Sequence, residues 1–227
     1  MSATSAIQVN LTRLRSHLKQ LTPRSVKLVA VSKLKPCPDI QTAYESGQRH
    51  FGENYVSELV EKCTQLPEDI KWHFIGHLQS NKVNKLVSLC PNLYMIETID
   101  SEKLASKVEL ALKSTGRKDR LRVLVEVKTS NEESKAGLDP ASVPQLVRHI
   151  QTKCPSLVFS GLMTIADESD PESCFTKLIE VKADLESTGV TVETVSMGMS
   201  GDYELAIRLG ATEVRLGSSI FGARRQQ

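Results

Sequence analysis

A chain of 227 residues can bury one large core, and a net charge of +2 with no Lys/Arg block gives no electrostatic case for nucleic acid. Its 40% apolar and 25% charged content is ordinary for a soluble globular protein, and no apolar run approaches the length of a membrane span. The 5 cysteines are odd in number, scattered and without a Cys-x-x-Cys pair, which argues against a zinc site or a disulfide frame and predicts reduced thiols in an intracellular compartment.

The first predicted element is a helix. No Asp or Glu occurs before Asp39, while Arg13, Arg15, Lys19, Arg24 and Lys27 do, a composition that transit peptides share. However, Ile7, Leu11, Leu14, Leu18 and Leu21 fall on one helical face, as a packing helix requires, and Pro23 stops it. The next stretch, Lys27-Leu-Val-Ala-Val-Ser-Lys33, is a short apolar run of the kind that fills a buried strand (27–32), and it ends on a lysine. Helix 38–47, a very short strand 50–53 and helix 55–66 follow. Strand 71–76, helix 81–89 and strand 93–99 come next. Asp100 and Ser101 can then cap a helix striped by Leu104, Val108, Ala111 and Leu112.

The second half keeps this rhythm. Residues 121–128 alternate apolar and polar side chains as a strand does. After a loop containing Gly137, Asp139-Pro140 opens a helix running to about 153. Strand 157–163 precedes a helix opened by Asp170-Pro171, with Phe175, Leu178, Ile179 and Leu185 inward and Gly189 past its end. Strand 190–195, a short helix 203–209 and strand 213–217 complete the series. Eight strands, with a helix after each of the first seven, predict an α/β fold: one (β/α)8 TIM-type barrel with an added N-terminal helix, spanning 1–227 as a single domain. An open doubly wound sheet would more often carry a Gly-rich turn after the first strand, where Ser32-Lys33-Leu34-Lys35-Pro36 stands instead. The last helix of the barrel is either the segment from Phe221 or the N-terminal helix covering the same gap.

In such a barrel the active face lies at the C-terminal ends of the strands, which here carry Lys33, Asn54, His77, Lys128, Met163, Ser200, and Arg215 with Gly217. An amine delivered from a dry core suits a Schiff-base site, because desolvation disfavours the ammonium and leaves a nucleophile for an aldehyde. The alternative is a lysine that snorkels to solvent. Ser196-Met-Gly-Met-Ser-Gly-Asp202 and Leu216-Gly-Ser-Ser-Ile220 are small-residue turns where barrels often hold a phosphate, although Gly and Ser also fill such turns for conformational reasons alone. Together they suggest a phosphate-bearing aldehyde opposite Lys33. Arg215, beside a pyridine-type ring nitrogen, would keep that nitrogen unprotonated; a surface ion pair with Glu213 or another carboxylate is the other reading.

The remaining candidates are weaker. His73 and His77 are four apart but fall on a strand and its end, and no carboxylate or cysteine completes a metal set by spacing, so no metal is expected. Cys37 is expected to be an inert buried thiol and Trp72 a core residue. Lys35 competes with Lys33 in the same loop and is expected to be the more solvated of the two.

Leu28-Val-Ala-Val-Ser-Lys33, Phe51-Gly-Glu-Asn-Tyr55, Trp72-His-Phe-Ile-Gly-His-Leu-Gln-Ser-Asn-Lys82, Gly161-Leu-Met163, Ser196-Met-Gly-Met-Ser200 and Arg215-Leu-Gly-Ser-Ser-Ile-Phe-Gly222 resemble the pyridoxal phosphate homeostasis protein family. That family is related to the N-terminal domain of alanine racemase, and the match covers nearly the whole chain in order. The resemblance implies a single barrel holding pyridoxal 5′-phosphate as a Schiff base on Lys33. It also implies phosphate contacts from Ser200, Gly217 and Ser218, a ring-nitrogen contact from Arg215, and Asn54 near the cofactor, with Met163 included among the cofactor-binding residues. The implied role is intracellular vitamin B6 homeostasis, sequestering and supplying the cofactor without catalytic turnover, with dependent apoenzymes as candidate recipients. A monomer in the cytoplasm is expected, with mitochondrial association left open. The alternative is a pyridoxal phosphate-dependent racemase or related one-sided enzyme. Against it, the chain stops at Gln227, so the second racemase domain and its opposing tyrosine are expected to be missing.

Overall fold

The computed structural model describes residues 3–130 and 136–222. Helix α1 (Ala3–Leu21) precedes the barrel, and β1 (Lys27–Val31) leads to α2 (Cys37–Glu45). Then come β2 (His50–Glu53), α3 (Val56–Gln65), β3 (Lys71–Phe74), α4 (Val83–Leu89), β4 (Leu93–Ile99) and α5 (Glu102–Thr115). The second half is β5 (Leu121–Glu126), α6 (Val143–Lys153), β6 (Leu157–Met163), α7 (Pro171–Ser187), β7 (Thr194–Ser196), α8 (Tyr203–Leu209), β8 (Glu213–Leu216) and α9 (Ser218–Phe221). All eight strands pair in sequence order as a closed parallel barrel, with β1 pairing β8 to shut it. The expected fold class is the observed one.

Local signals explain most boundaries. The Ser101 hydroxyl accepts from Leu104 N at 3.3 Å, and Gly116 ends α5 in the left-handed region at φ 67°. Asp170 caps Ser173 N with Pro171 behind it. The large core lies between barrel and helices: Ile7, Leu11, Leu14 and Leu18 of α1 join it, as do Leu104, Val108, Ala111 and Leu112 of α5 and the fully buried Trp72. Helix α1 packs on α2, α8 and α9, and Asn10 Nδ2 donates to Ile220 O at 3.0 Å. Because α9 is only one turn long, α1 does the covering that an eighth helix would do.

Two expectations need correction. Strand β7 begins at Thr194, so the predicted strand at 190–195 is shorter and later. Its ladder to β6 starts at Gly161↔Thr194, and β6 shifts register against β5 just before that point. Val190 to Glu193 therefore face no ladder partner. Gly161 is needed there: it sits at φ +149°, and a Cβ would lie 1.9 Å from Thr194 O. The second correction concerns the thiols. Cys63 of α3 and Cys90 at the end of α4 form a disulfide with Cα atoms 5.8 Å apart, so not all the cysteines are free. Spacing in sequence could not show this, because the two meet only where α3 and α4 pack side by side around the barrel.

The inside of the barrel is a second, different core. Met95, Leu124 and Met163 form a small apolar cluster separate from the main one. On β5, Leu124 alternates with Val123 and Val125, which belong to the outer core, so Arg122 and Glu126 share the inner side with Leu124. Most of what else fills the interior is polar: His73, Glu97, Ser196, Glu213 and Arg215 are all buried.

Candidate functional site

The strand register assembles the C-terminal mouth. Val31 pairs Gly52 and Ala30 pairs Leu216, so the Ser32–Lys33 segment leaves β1 between Glu53–Asn54 on one side and Gly217 on the other. Gly217 lies directly against the end of β1, the position of a Cβ there being 3.3 Å from Val31 O. The two small-residue turns meet: Ser219 N donates to Ser200 Oγ at 3.4 Å. Arg215 N donates to Gly198 O at 3.0 Å, which ties the β8 end to the first of those turns. Lys33, Asn54, Ser200 and Gly217 are half-buried and Ser218 is exposed.

Arg215 is 4% exposed and does not pair with Glu213 or reach the surface. Its Nη1 donates to Ser196 Oγ at 2.7 Å and its Nη2 to Thr164 O at 2.8 Å. Ser196 in turn donates to Glu97 Oε2 at 2.7 Å, and His73 Nδ1 lies 2.6 Å from Glu97 Oε1. His73 Nε2 continues to His50 Nδ1 at 2.9 Å. A continuous polar chain thus runs along the barrel interior from His50, at the start of β2, to Arg215, at its mouth. A guanidinium has five N–H donors, of which these contacts occupy two.

The charges along this chain follow from burial and neighbours. Burial alone would push the Glu97 carboxyl up, but the His73 hydrogen bond and charge, Arg215 and Ser196 outweigh it and hold it at about 2. Glu213 is pushed the other way, by burial and by the negative Glu97, against the opposing pull of His73 and of Lys27, whose Nζ is 3.0 Å from Glu213 Oε2. Burial and the positive neighbours His73, Lys27 and Lys71 bring His50 down to about 3, so it is neutral near pH 7. Glu126, at the C-terminal end of β5, is raised to about 7 by burial and the Asp100 charge, against Arg215.

His73, Glu97 and Glu213 have ligand atoms within 4.8 Å of one another, so the fold supplies the carboxylates that spacing along the sequence did not. His77, the partner suggested by that spacing, is exposed and turned toward Asp100. Both His73 nitrogens are already engaged, and Lys27 and Arg215 supply the positive charge a metal would bring.

Met163 is fully buried in the interior cluster beneath the mouth, and Asn54 Oδ1 is buried without a hydrogen-bond partner. Lys128 is half-buried on the loop after β5, where its N donates to Leu138 O at 2.9 Å. Lys35 and Lys33 are both half-buried, and Lys35 Nζ donates to Phe221 O at 3.2 Å. Cys37 is likewise only half-buried, its Sγ 3.5 Å from Gln65 Oε1. Glu97, Thr164 and Glu126 carry no motif in the sequence, and Ser196 stands there only as the first residue of a small-residue turn. A charge in the mostly apolar strand run Met95-Ile-Glu-Thr-Ile99 was the available signal for Glu97.

The family described as "Alanine racemase, N-terminal domain" matches residues 3–225. The chain is 48% identical to the pyridoxal phosphate homeostasis protein of Bos taurus, covering 96% of this chain and 83% of that one. It is 44% identical to the protein of that name from Schizosaccharomyces pombe, covering 97% and 94%. Among solved structures, PipY of Synechococcus elongatus with pyridoxal phosphate bound superposes with a TM-score of 0.80 at 35% identity, over 95% of this chain and 100% of that one.

Proposed function

The chain belongs to the pyridoxal phosphate homeostasis protein family, related to the alanine racemase N-terminal domain, and from that premise we propose that it binds pyridoxal 5′-phosphate through Lys33. In this reading it holds the reactive cofactor for supply to apoenzymes within the cell, and one barrel carries the whole site. The observation that carries it is the convergence at one mouth of the Lys33 segment, the joined Ser200 and Gly217–Ser219 turns, and a buried arginine.

The residues present suit that group. Two turns of small residues offer hydroxyls and backbone N–H groups to a phosphate. Asn54 Oδ1 is a buried acceptor that lacks a donor, as a site shaped for a ligand would leave it. Lys33 would hold the group, and bound pyridoxal phosphate would supply an aldehyde there for the amine. Arg215 would offer its positive charge and remaining donor N–H groups to the ring nitrogen, and so would keep a proton off it, because a guanidinium does not give up its own. Ser196 and Thr164 orient that guanidinium, and Glu97 balances its charge. Met163 packs with Met95 and Leu124 in the apolar cluster beneath the mouth.

Binding without turnover is the reading that the names of the relatives favour. The test is mass spectrometry of protein incubated with pyridoxal phosphate and reduced with borohydride. One phosphopyridoxyl group on Lys33 is expected. A protein that stays colourless and unmodified would end the proposal, and a label on Lys35 would end the site assignment. Solvent deuterium exchange at Cα of amino acids, abolished by Lys33→Ala and well above free cofactor, would instead favour an enzyme.

A further inference from the structure

Beneath the Ser32–Leu34 segment lies a buried ion cluster outside the proposed cofactor contacts. Lys62 of α3 is 4% exposed, and its Nζ donates to Ser32 O at 2.8 Å, Glu53 Oε1 at 2.7 Å and Glu58 Oε1 at 2.6 Å. These use all three donors of an ammonium. Glu53 Oε1 also accepts from Ser32 Oγ at 2.6 Å, and Glu58 Oε1 accepts from Leu34 N at 2.6 Å.

The contacts fall in an informative place. Ser32 O belongs to the peptide group before Lys33, and Leu34 N to the peptide group after it. Lys62 holds the first directly and the second through Glu58, so the backbone on both sides of Lys33 is fixed. The fixed conformation is a costly one. Among the described residues, Leu34 is the non-glycine with positive φ, at 61°, and its side chain is exposed, so packing does not enforce it. A buried lysine with two carboxylates is itself weak evidence of stabilisation, since apolar residues of the same volume often serve as well. Its geometry has to be explained by what it holds.

We propose that Lys62 is a positioning residue: through Ser32 O and the Glu58 carboxylate it holds the strained turn that makes Lys33, rather than Lys35, the lysine presented to the ligand. This rests on the reading of Lys33 as the cofactor lysine, and the test separates the two. Without the clamp, the Lys35 N to Ser32 O hydrogen bond at 3.0 Å is left to hold the turn against the Leu34 strain, and the relative aim of Lys33 and Lys35 is expected to loosen. Glycine adopts positive φ without penalty, so Leu34→Gly relieves the need for the clamp without touching Lys62.

The experiment uses the full chain and two labels. Competitive acetylation with limiting acetic anhydride reads the Lys33:Lys35 ratio without cofactor, and borohydride reduction with pyridoxal phosphate reads it with cofactor. In Lys62→Met, folded by circular dichroism, both ratios are expected to fall on the order of tenfold, the size of a left-handed strain for one residue. Adding Leu34→Gly is expected to restore most of that loss, which a merely structural lysine would not allow. A wild-type ratio in folded Lys62→Met overturns the proposal, as does failure of Leu34→Gly to rescue. If Lys62→Met does not fold, Glu58→Leu, at a partly exposed position, releases Leu34 N and one Lys62 donor while leaving the Lys62 contact to Ser32 O in place. It is expected to shift the ratio the same way, and an unchanged ratio overturns the proposal. Wild-type protein that takes no pyridoxal phosphate defeats the cofactor reading only, because acetylation still reads the turn.

Discussion

Replacing Arg215 by Met removes the donor to Ser196 Oγ and Thr164 O and leaves Glu97 with one cation fewer inside the barrel. Breaking a buried charge network by removing one partner costs about 3–5 kcal/mol, so a fall in urea midpoint is expected along with loss of cofactor uptake. Arg215→Lys keeps the charge but not the planar fork, so it should keep more of the stability than of the binding geometry. Glu126 offers the opposite case. Its carboxyl is raised to about 7 and its Oε2 lacks a partner, so near pH 8 the protein carries a buried charge that folding disfavours. Glu126→Gln removes that charge. At about 1.4 kcal/mol per pKa unit it should stabilise by at most about 3 kcal/mol near pH 8 and by little near pH 5, where the wild-type acid is already neutral. Equal effects at both pH values would contradict the assignment. Lys33 and Arg215 were legible from position at strand ends, whereas Glu126 was not. Its environment is made by Asp100, just past the neighbouring strand β4, and by Arg215 of β8, distant in sequence.

At the level of elements, helix ends and faces were readable because they are local. Ser101 and Asp170 cap as their spacing predicts, and the α5 stripe is buried as its period requires. Contacts between elements were not. The Cys63–Cys90 disulfide closes a separation of 27 residues across α3 and α4, so converting both cysteines to serine should cost about 2–4 kcal/mol. Reductant should lower the wild-type midpoint and leave the double variant unchanged; equal sensitivity would show that the bond contributes nothing. Strand β7 was misplaced for a related reason, since its start is set by where Gly161 of β6 can approach Thr194 O. Gly161→Ala brings a Cβ onto that carbonyl and forces a left-handed φ on alanine, and is expected to yield little folded protein by circular dichroism.

For the molecule as a whole, the buried ionisable groups predict the shape of the pH profile. Glu53 and Glu126 are both raised to about 7, so as pH falls from about 8 the folded state takes up protons first and gains stability. His50, held down to about 3, works against this below its ordinary 6.5, because the unfolded chain protonates first. Glu97, held at about 2, adds a further loss below its ordinary 4.5. Urea unfolding should therefore show greatest stability on the acid side of neutrality and a steep fall below about pH 4.5, with His50→Gln flattening the loss from about 6.5 downward. A profile highest at about pH 8 would mean that these groups are not buried as the barrel places them. No helix among the described residues is long and apolar enough to cross a membrane.

The alternation of apolar runs with amphipathic segments was enough to settle the eight-stranded barrel and the order of its elements, because period and capping are properties of neighbouring residues. That order then placed Lys33, Ser200, Arg215 and Gly217 at one mouth. Only the tertiary structure decided what lies inside. The chain from His50 through His73, Glu97 and Ser196 to Arg215 is drawn from five strands, and the Lys62 clamp joins α3 to the ends of β1 and β2. Charges can be buried in these places because partners from other strands arrive within hydrogen-bond distance, and no pattern along the chain encodes that meeting.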